Sequence, residues 1–220
     1  AMYCTKCNRF TDSSTCPECG GKTAEEAPHV VYWCGDCNIP LIHIPEGKSI
    51  TCPVCGHKAR YLCTDMRPVF PEERLLFEVM LCKPLAYVDD SVWASGSKYY
   101  VNGETINITV AEILAFDPVA IRSQIDMYAG SNSYDGFDRY ADAFVAANRD
   151  HLDAIVREAC SFVVDASKGY PEENLVVSFS GGKDSTVTAD ISVRALSNPY
   201  LVHIFGDTTL EFPSTTEYAK

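Results

Sequence analysis

The sequence predicts an α/β protein with two short cysteine-built ribbons, a small α+β insert, and then the start of a doubly wound parallel sheet. Three observations carry this reading. Eight cysteines fall into four Cys-x-x-Cys pairs near the amino terminus. An Asn-Gly pair separates two β-rich runs in "SKYYVNGETINIT", the strongest short hairpin signal. Further on, "LVVSFSGGKDSTVTADISVRAL" and "YLVHIF" read as strand, glycine loop, helix and strand. The 220 residues suffice for one or two domains with real cores. The expected segments are a first ribbon over 1–28, a second over 29–64, the insert over 65–136, and a helical lead-in with the first βαβ unit over 137–220.

Composition narrows the class. Apolar residues make up 46% and charged residues 22%, as in ordinary globular chains. No apolar run approaches the roughly 18 residues of a membrane span. The first residues lack the charged-then-apolar pattern of an export signal. A cytoplasmic location without membrane contact is the expectation. Ala1 before Met2 reads as a cloning remnant. The net charge of −12 argues against a non-specific nucleic-acid binder, whose affinity comes from neutralising phosphates.

The ribbons come first. Cys4, Cys7, Cys16 and Cys19 form C-x2-C-x8-C-x2-C, and Cys34, Cys37, Cys52 and Cys55 form C-x2-C-x14-C-x2-C. A two-residue spacer lets both sulfurs of a pair reach one ion from a tight turn, and two such turns supply a tetrahedron. That set suits Zn²⁺, with iron in a rubredoxin-like site as the chemical rival. Gly20 and Gly56 follow the second knuckle of each set, where a left-handed residue is needed. An all-sulfur site leaves no position open for substrate, so two structural zinc ions are expected. Such ribbons also dock RNA or protein partners. Cys63, Cys82 and Cys160 are expected to be buried small hydrophobes.

The insert follows. "PEERLLFEVML" opens on Pro71 and two acids, a good first helical turn. "VAEILAFDPVAIRSQIDMYA" reads as helix broken at Asp117-Pro118. Trp33, Trp93 and the tyrosines either pack a core or line a groove, and packing is the expected use. "GSNSYDG" reads as a linker. Leu152, Ile155, Val156, Ala159, Cys160, Val163 and Val164 then form one helical stripe, expected to lie on a sheet. Gly169 and Pro171 end that helix.

The last segment carries the chemistry. "LVVSF" and "YLVHIF" are expected to be buried parallel strands. The loop Ser180-Gly181-Gly182-Lys183-Asp184-Ser185 lies between a strand's carboxyl end and a helix's amino end, where open α/β sheets bind ligands. Glycines let backbone N–H groups curl around an anion, and the helix terminus adds free amides and a positive dipole end. Ser180 and Ser185 offer hydroxyls, and Lys183 a charge that strengthens as a phosphate leaves. Asp184 either caps the helix or holds Mg²⁺. The pattern differs from the Gly-x-x-x-x-Gly-Lys-Ser/Thr loop of common NTPases.

"FSGGKDS" instead resembles the PP-loop of the N-type ATP pyrophosphatases, which cleave ATP between its α and β phosphates. "HIFGDTTLEFPSTTEYAK" is similar to the Asp-Thr-x-x-x-Phe-Pro-x-Thr segment of the phosphoadenosine phosphosulfate (PAPS) reductase family, which includes the sulfate adenylyltransferase small subunit. The resemblance implies an adenine nucleotide α-hydrolase-like fold. It implies Lys183 and Asp184 as catalytic residues and Ser180 to Ser185 around ATP or a PAPS-like nucleotide. Asp207 would face the ribose or metal, Thr208 and Thr209 would shape the pocket, and Phe212 and Pro213 its wall. "WCGDCNIPL", "CPVCG" and "DMRPVFPEER" are more loosely similar to the zinc-containing region of archaeal-type members. Two features depart from dedicated reductases: the loop is intact, and no thiol is placed as the reductase nucleophile. The chain reaches Lys220 after two recognisable strands, whereas a doubly wound sheet needs about five. The domain is therefore expected to be incomplete, with its remainder in the same or another chain.

Three functions compete. The first is adenylyl transfer from ATP, with pyrophosphate release, to a small oxyanion, or related phosphosulfate metabolism, with Mg²⁺ assisting. The second is RNA thiolation, with the ribbons gripping tRNA. The third is a zinc-ribbon interaction module beside an inactive partial nucleotide fold.

Overall fold

Backbone turns around the cysteines organise the first part of the computed structural model, which describes residues 2–7, 9–25, 27–207 and 213–219. Strands β1 (Met2–Cys4) and β2 (Arg9–Thr11) form an antiparallel hairpin. Among the described residues of this ribbon, only Tyr3, Cys4 and Cys16 are buried. The Tyr3 ring meets Phe10 edge-on at 5.1 Å. The second ribbon has more to bury. Strands β3 (Val30–Cys34), β4 (Ile39–His43), β5 (Ser49–Thr51) and β6 (Lys58–Cys63) form an antiparallel sheet in the order β4-β3-β6-β5. Val30, Tyr32, Ile39, Leu41, Ile50 and Ala59 make its core together with Cys34 and Cys52.

The insert is a second antiparallel sheet with a helix laid on it. Strands β7 (Arg67–Pro68), β8 (Val92–Ser95), β9 (Lys98–Val101) and β10 (Glu104–Ile106) take the order β10-β9-β8-β7. Helix α1 (Pro71–Met80) starts on Pro71 with Glu72 and Glu73 in its first turn, as its sequence predicts. Phe77 of α1 stacks on Tyr99 of β9 at 4.4 Å. Arg74 and Glu78, one turn apart on α1, are 2% and 0% exposed. The hairpin turn between β9 and β10 uses Asn102 and Gly103, both left-handed (φ 51 and 80). Helices α2 (Val110–Ala115) and α3 (Pro118–Tyr128) break where Asp117 caps the second of them.

That hairpin turn also joins the insert to the second ribbon. Asn102 Oδ1 accepts from Asn38 Nδ2 at 2.6 Å and from Ser91 N at 3.1 Å. Arg60 Nη2 donates to the Gly103 carbonyl at 2.5 Å. A Cβ on Gly103 would stand 2.3 Å from Trp33 Nε1, so only glycine lets the indole lie across the turn. Trp33 and Trp93 are 2% and 3% exposed, which settles their use as core.

Helix α4 (Asp135–Ala147) packs on the second ribbon, with Tyr140, Ala143 and Ala147 against its core. Asn148, just past the helix, is buried and completes the edge of β4. Its Oδ1 accepts from Ile42 N at 2.6 Å and its Nδ2 donates to the Pro40 carbonyl at 3.1 Å. The side-chain amide thus acts as a strand edge, covering groups that an exposed edge would leave unpaired. The contacts accordingly divide the chain into Ala1–Arg149 and Asp150–Lys220, beyond the turn-rich 130–136 segment rather than at it.

The second unit is a βαβ unit with one more helix. Helix α5 (Arg149–Ser167) is followed by β11 (Val176–Phe179), α6 (Lys183–Leu196) and β12 (Val202–Phe205). The two strands are parallel and in register from Val176↔Val202 to Phe179↔Phe205. Gly169 is left-handed (φ 87) beyond the end of α5, as expected. The strands are less buried than their composition predicts. Val177 and neighbouring Leu201 are buried, but Val176, Val202 and Ile204 are 52%, 55% and 54% exposed. In-register residues of parallel strands share a face, so one face of this pair is open and apolar. No residue of α5 is fully buried, and its stripe is half-covered rather than sealed by a sheet. The described sheet of this unit is a two-stranded parallel pair, and a complete doubly wound sheet is not among the described residues. Helix α7 (Pro213–Tyr218) closes the unit. No described helix is long and apolar enough to cross a membrane.

Candidate functional site

The two cysteine sets come together as their spacing predicts. Within each set all four Sγ atoms lie within 4.8 Å of one another. Cys4–Cys19 and Cys7–Cys16 sulfurs are 3.6 and 3.8 Å apart, and Cys34–Cys55 and Cys37–Cys52 sulfurs 3.4 and 3.9 Å. A tetrahedral Zn²⁺ with bonds of ~2.3 Å has an S···S edge of about 3.8 Å. The donor sets therefore fit structural zinc. Gly20 and Gly56 have φ 68 and 77, and their N–H groups close the knuckles onto Cys16 and Cys52 carbonyls at 2.9 and 3.0 Å.

The thiols are prepared for ligation by the backbone. Hydrogen bonds from the Cys19 and Glu18 amides lower Cys16 to about 6. The His57 amide does the same for Cys55, lowering it to about 7. Cys34 is pushed up by burial, and so is Cys37.

The remaining cysteines depart from expectation. Cys63 and Cys160 are half-buried and Cys82 is exposed. Helix α1 ends at Met80, and Cys82 takes a left-handed turn (φ 56) that carries it off the apolar face.

The glycine loop lies, as predicted, between the carboxyl end of β11 and the amino end of α6. Gly181 is left-handed (φ 74) and Gly182 is the residue before the helix. The first-turn N–H groups of Lys183, Asp184 and Ser185 have no intrahelical acceptor. The loop's hydroxyls hold its shape. Ser185 Oγ accepts from Ser180 N at 3.2 Å and donates to the Gly182 carbonyl at 2.9 Å. Ser180 Oγ also donates to Ser185 Oγ at 3.1 Å.

Asp184 is not the helix cap that its residue type allowed. The helix begins at Lys183, so Asp184 sits inside the first turn, and its carboxylate pairs with Lys183 Nζ. Both side chains are highly exposed, 85% and 88%, and turn toward solvent at the helix mouth. Asp207 follows β12 at the same end of the parallel pair. Thr208, Thr209 and Phe212 lie outside the described residues, as does the side chain of Pro213. Sequence reasoning passed over Thr186, Thr215 and Tyr218. Thr186 Oγ1 donates to the Gly182 carbonyl at 3.0 Å, and the Tyr218 hydroxyl lies 3.3 Å from Thr186 Oγ1. A helical start at Pro213 signals α7, but no local signal places Tyr218 near the loop.

The two glycines are not equivalent. A Cβ on Gly181 would stand 2.7 Å from Thr215 Cγ2, on top of its left-handed backbone. On Gly182 it would meet only Ser180 Oγ at 3.6 Å, an ordinary contact. Gly181→Ala is expected to destabilise the second unit by roughly 1–2 kcal/mol, and Gly182→Ala by under about 0.5 kcal/mol. Thermal melts of the two variants check the order.

Comparison with known proteins agrees with the loop. Residues 174–220 match the family model described as Phosphoadenosine phosphosulfate reductase domain. This segment is PAPS reductase-like. The chain is also 35% identical over 88 residues to the Uncharacterized protein MJ0066 of Methanocaldococcus jannaschii. That match covers 40% of this chain and 18% of the relative, so the chain spans well under two thirds of the protein it matches. No solved structure matches.

Proposed function

We propose that the PAPS reductase-like segment binds ATP or a related adenine nucleotide through the Ser180–Ser185 loop, and that its chemistry is adenylyl transfer. The observation that carries this is the left-handed Gly181 at a parallel strand–helix junction, with hydroxyls folded beneath the loop and Lys183 at its mouth. The intact "SGGKDS" loop favours transfer over reduction. In this reading a substrate oxyanion attacks the α-phosphorus, the bond to the bridging oxygen breaks, and pyrophosphate leaves with that electron pair. Backbone N–H groups at the α6 terminus and Lys183 Nζ stabilise the charge that develops on the leaving group. The carboxylates of Asp184 and Asp207, at the same end of the strands, would hold Mg²⁺, which neutralises phosphate charge. The ribbons are structural. Further strands, from this chain or another, cover the open face of Val176, Val202 and Ile204.

Pyrophosphate release from MgATP tests the reading. Stimulation by sulfate-like oxyanions and not by tRNA is the expected result; stimulation by tRNA alone transfers the proposal to RNA thiolation. Lys183→Ala is expected to lower turnover by about 10²-fold or more, with zinc content unchanged. Turnover equal to wild type would remove the loop from the reaction.

A further inference from the structure

We propose that Tyr218 is a positioning residue for the phosphate loop and acts on it through Thr186. The inference rests on the nucleotide reading of the loop given above. Its basis is a directed chain of hydrogen bonds. Thr186 has one hydroxyl proton, and it donates this to the Gly182 carbonyl at 3.0 Å. The contact between Tyr218 and Thr186 at 3.3 Å therefore has the phenol as donor and Thr186 Oγ1 as acceptor. The Gly182 carbonyl is thus the end of the chain. It also accepts from Ser185 Oγ at 2.9 Å and from Thr186 N at 3.0 Å.

Fixing that carbonyl fixes a donor. The peptide unit is planar and trans, so the Gly182 C=O and the Lys183 N–H point in opposite directions. With the carbonyl held toward the helix, the Lys183 N–H faces the loop mouth, where a phosphate oxygen would sit. Helix α7 reaches the neighbouring residue too. Thr215 Cγ2 packs where a Gly181 side chain would begin. The Tyr218 ring also lies 5.9 Å from Phe179, the last residue of β11 before the loop. Tyr218 therefore touches the strand before the loop and, through Thr186, the peptide after it. Tyr218 as a whole is 58% exposed.

The test compares the whole chain with Tyr218→Phe, Thr186→Val, Thr186→Ser and the double variant Tyr218→Phe/Thr186→Val. MgATP affinity is measured by calorimetry, and exchange of the Ser180 and Thr186 amides is measured without nucleotide. Each hydroxyl-removing single variant is expected to weaken MgATP about threefold to tenfold. The double variant is expected to fall no further than the weaker single, because one chain of bonds is cut twice. Thr186→Ser keeps the hydroxyl and restores affinity. Both amides exchange faster in Tyr218→Phe while the melting temperature stays level. Wild-type binding with Tyr218→Phe equal to it in affinity and exchange overturns the inference and leaves the nucleotide reading standing. Full additivity in the double variant overturns it as well. If wild type binds no MgATP, the nucleotide reading falls, and exchange alone decides whether Tyr218 positions the loop: faster exchange upholds that, unchanged exchange overturns it.

Discussion

Graded chelation is expected to remove zinc in two steps, with tryptophan emission unmoved in the first and red-shifted in the second. The first ribbon has little besides its metal to hold it. Among its described residues Tyr3 is the one large apolar side chain that is buried. Burying one such side chain contributes about 1.5–3 kcal/mol, whereas fixing each backbone residue costs about 1–2 kcal/mol. Zinc at a four-thiolate site contributes roughly 10–16 kcal/mol and is the dominant favourable term there. The second ribbon differs because its cysteines share a core with Tyr32, Leu41, Ile50 and helix α4. Trp33 lies in β3 of that ribbon, and Trp93 in β8 of the insert joined to it. Cys4→Ser should therefore lose one zinc per chain with emission unchanged. Cys34→Ser should lose one zinc and expose Trp33, and with it the Gly103 turn it covers. Metal content by atomic absorption and emission maxima on the same samples check both. A red shift in Cys4→Ser as large as that in Cys34→Ser would contradict the independence of the ribbons.

What the sequence made legible is what a local constraint dictates. Metal ligation fixes residue type and spacing, so the knuckles and their left-handed glycines could be placed without a structure. The Asn102-Gly103 hairpin, the break at Asp117-Pro118 and the strand–loop–helix–strand unit rest on backbone preferences of a few residues. The rest depends on contacts between residues distant in sequence. Nothing in the local sequence marks Asn148, yet it serves as the missing edge of β4, more than 100 positions away (|i−j| 106 and 108). For that reason α4 sits with the ribbon rather than with the segment after it. Cys82 looked apolar by its neighbours and is exposed because one left-handed residue redirects it. Tyr218 and Thr186 meet only because α7 returns over the loop, a closure that no periodicity encodes.

The sequence "PEERLLFEVML" equally gives no sign that Arg74 and Glu78 of α1 are buried together, and that pair gives the second large effect. Glu78 accepts from the Leu85 and Tyr87 amides at 2.9 and 2.8 Å, which holds the turn after α1. Arg74 Nη2 donates to Asn132 Oδ1 at 2.6 Å and to the Ser133 carbonyl at 3.1 Å, which fixes the approach to α4. The two side chains face each other at 3.5 Å, and Arg74 Nε has no hydrogen-bond partner among the described residues. Burial pushes the Glu78 carboxyl up and the Arg74 guanidinium down, each opposed by the other's charge. Glu78→Ala is expected to cost about 3–5 kcal/mol, because it leaves a buried guanidinium without its counter-charge and two amides without an acceptor. Arg74→Ala/Glu78→Ala should cost less than the two singles added, because neither charge is then left alone. The raised Glu78 value also sets a sign. The folded chain holds this proton to higher pH than the unfolded one, so the contribution of Glu78 to stability declines as pH rises from its ordinary 4.5 through the folded value. Glu78→Gln removes that slope. Urea melts across this pH range measure both effects, and a Glu78→Ala variant within about 1 kcal/mol of wild type would mean that water has replaced the carboxylate at a site the pair keeps closed.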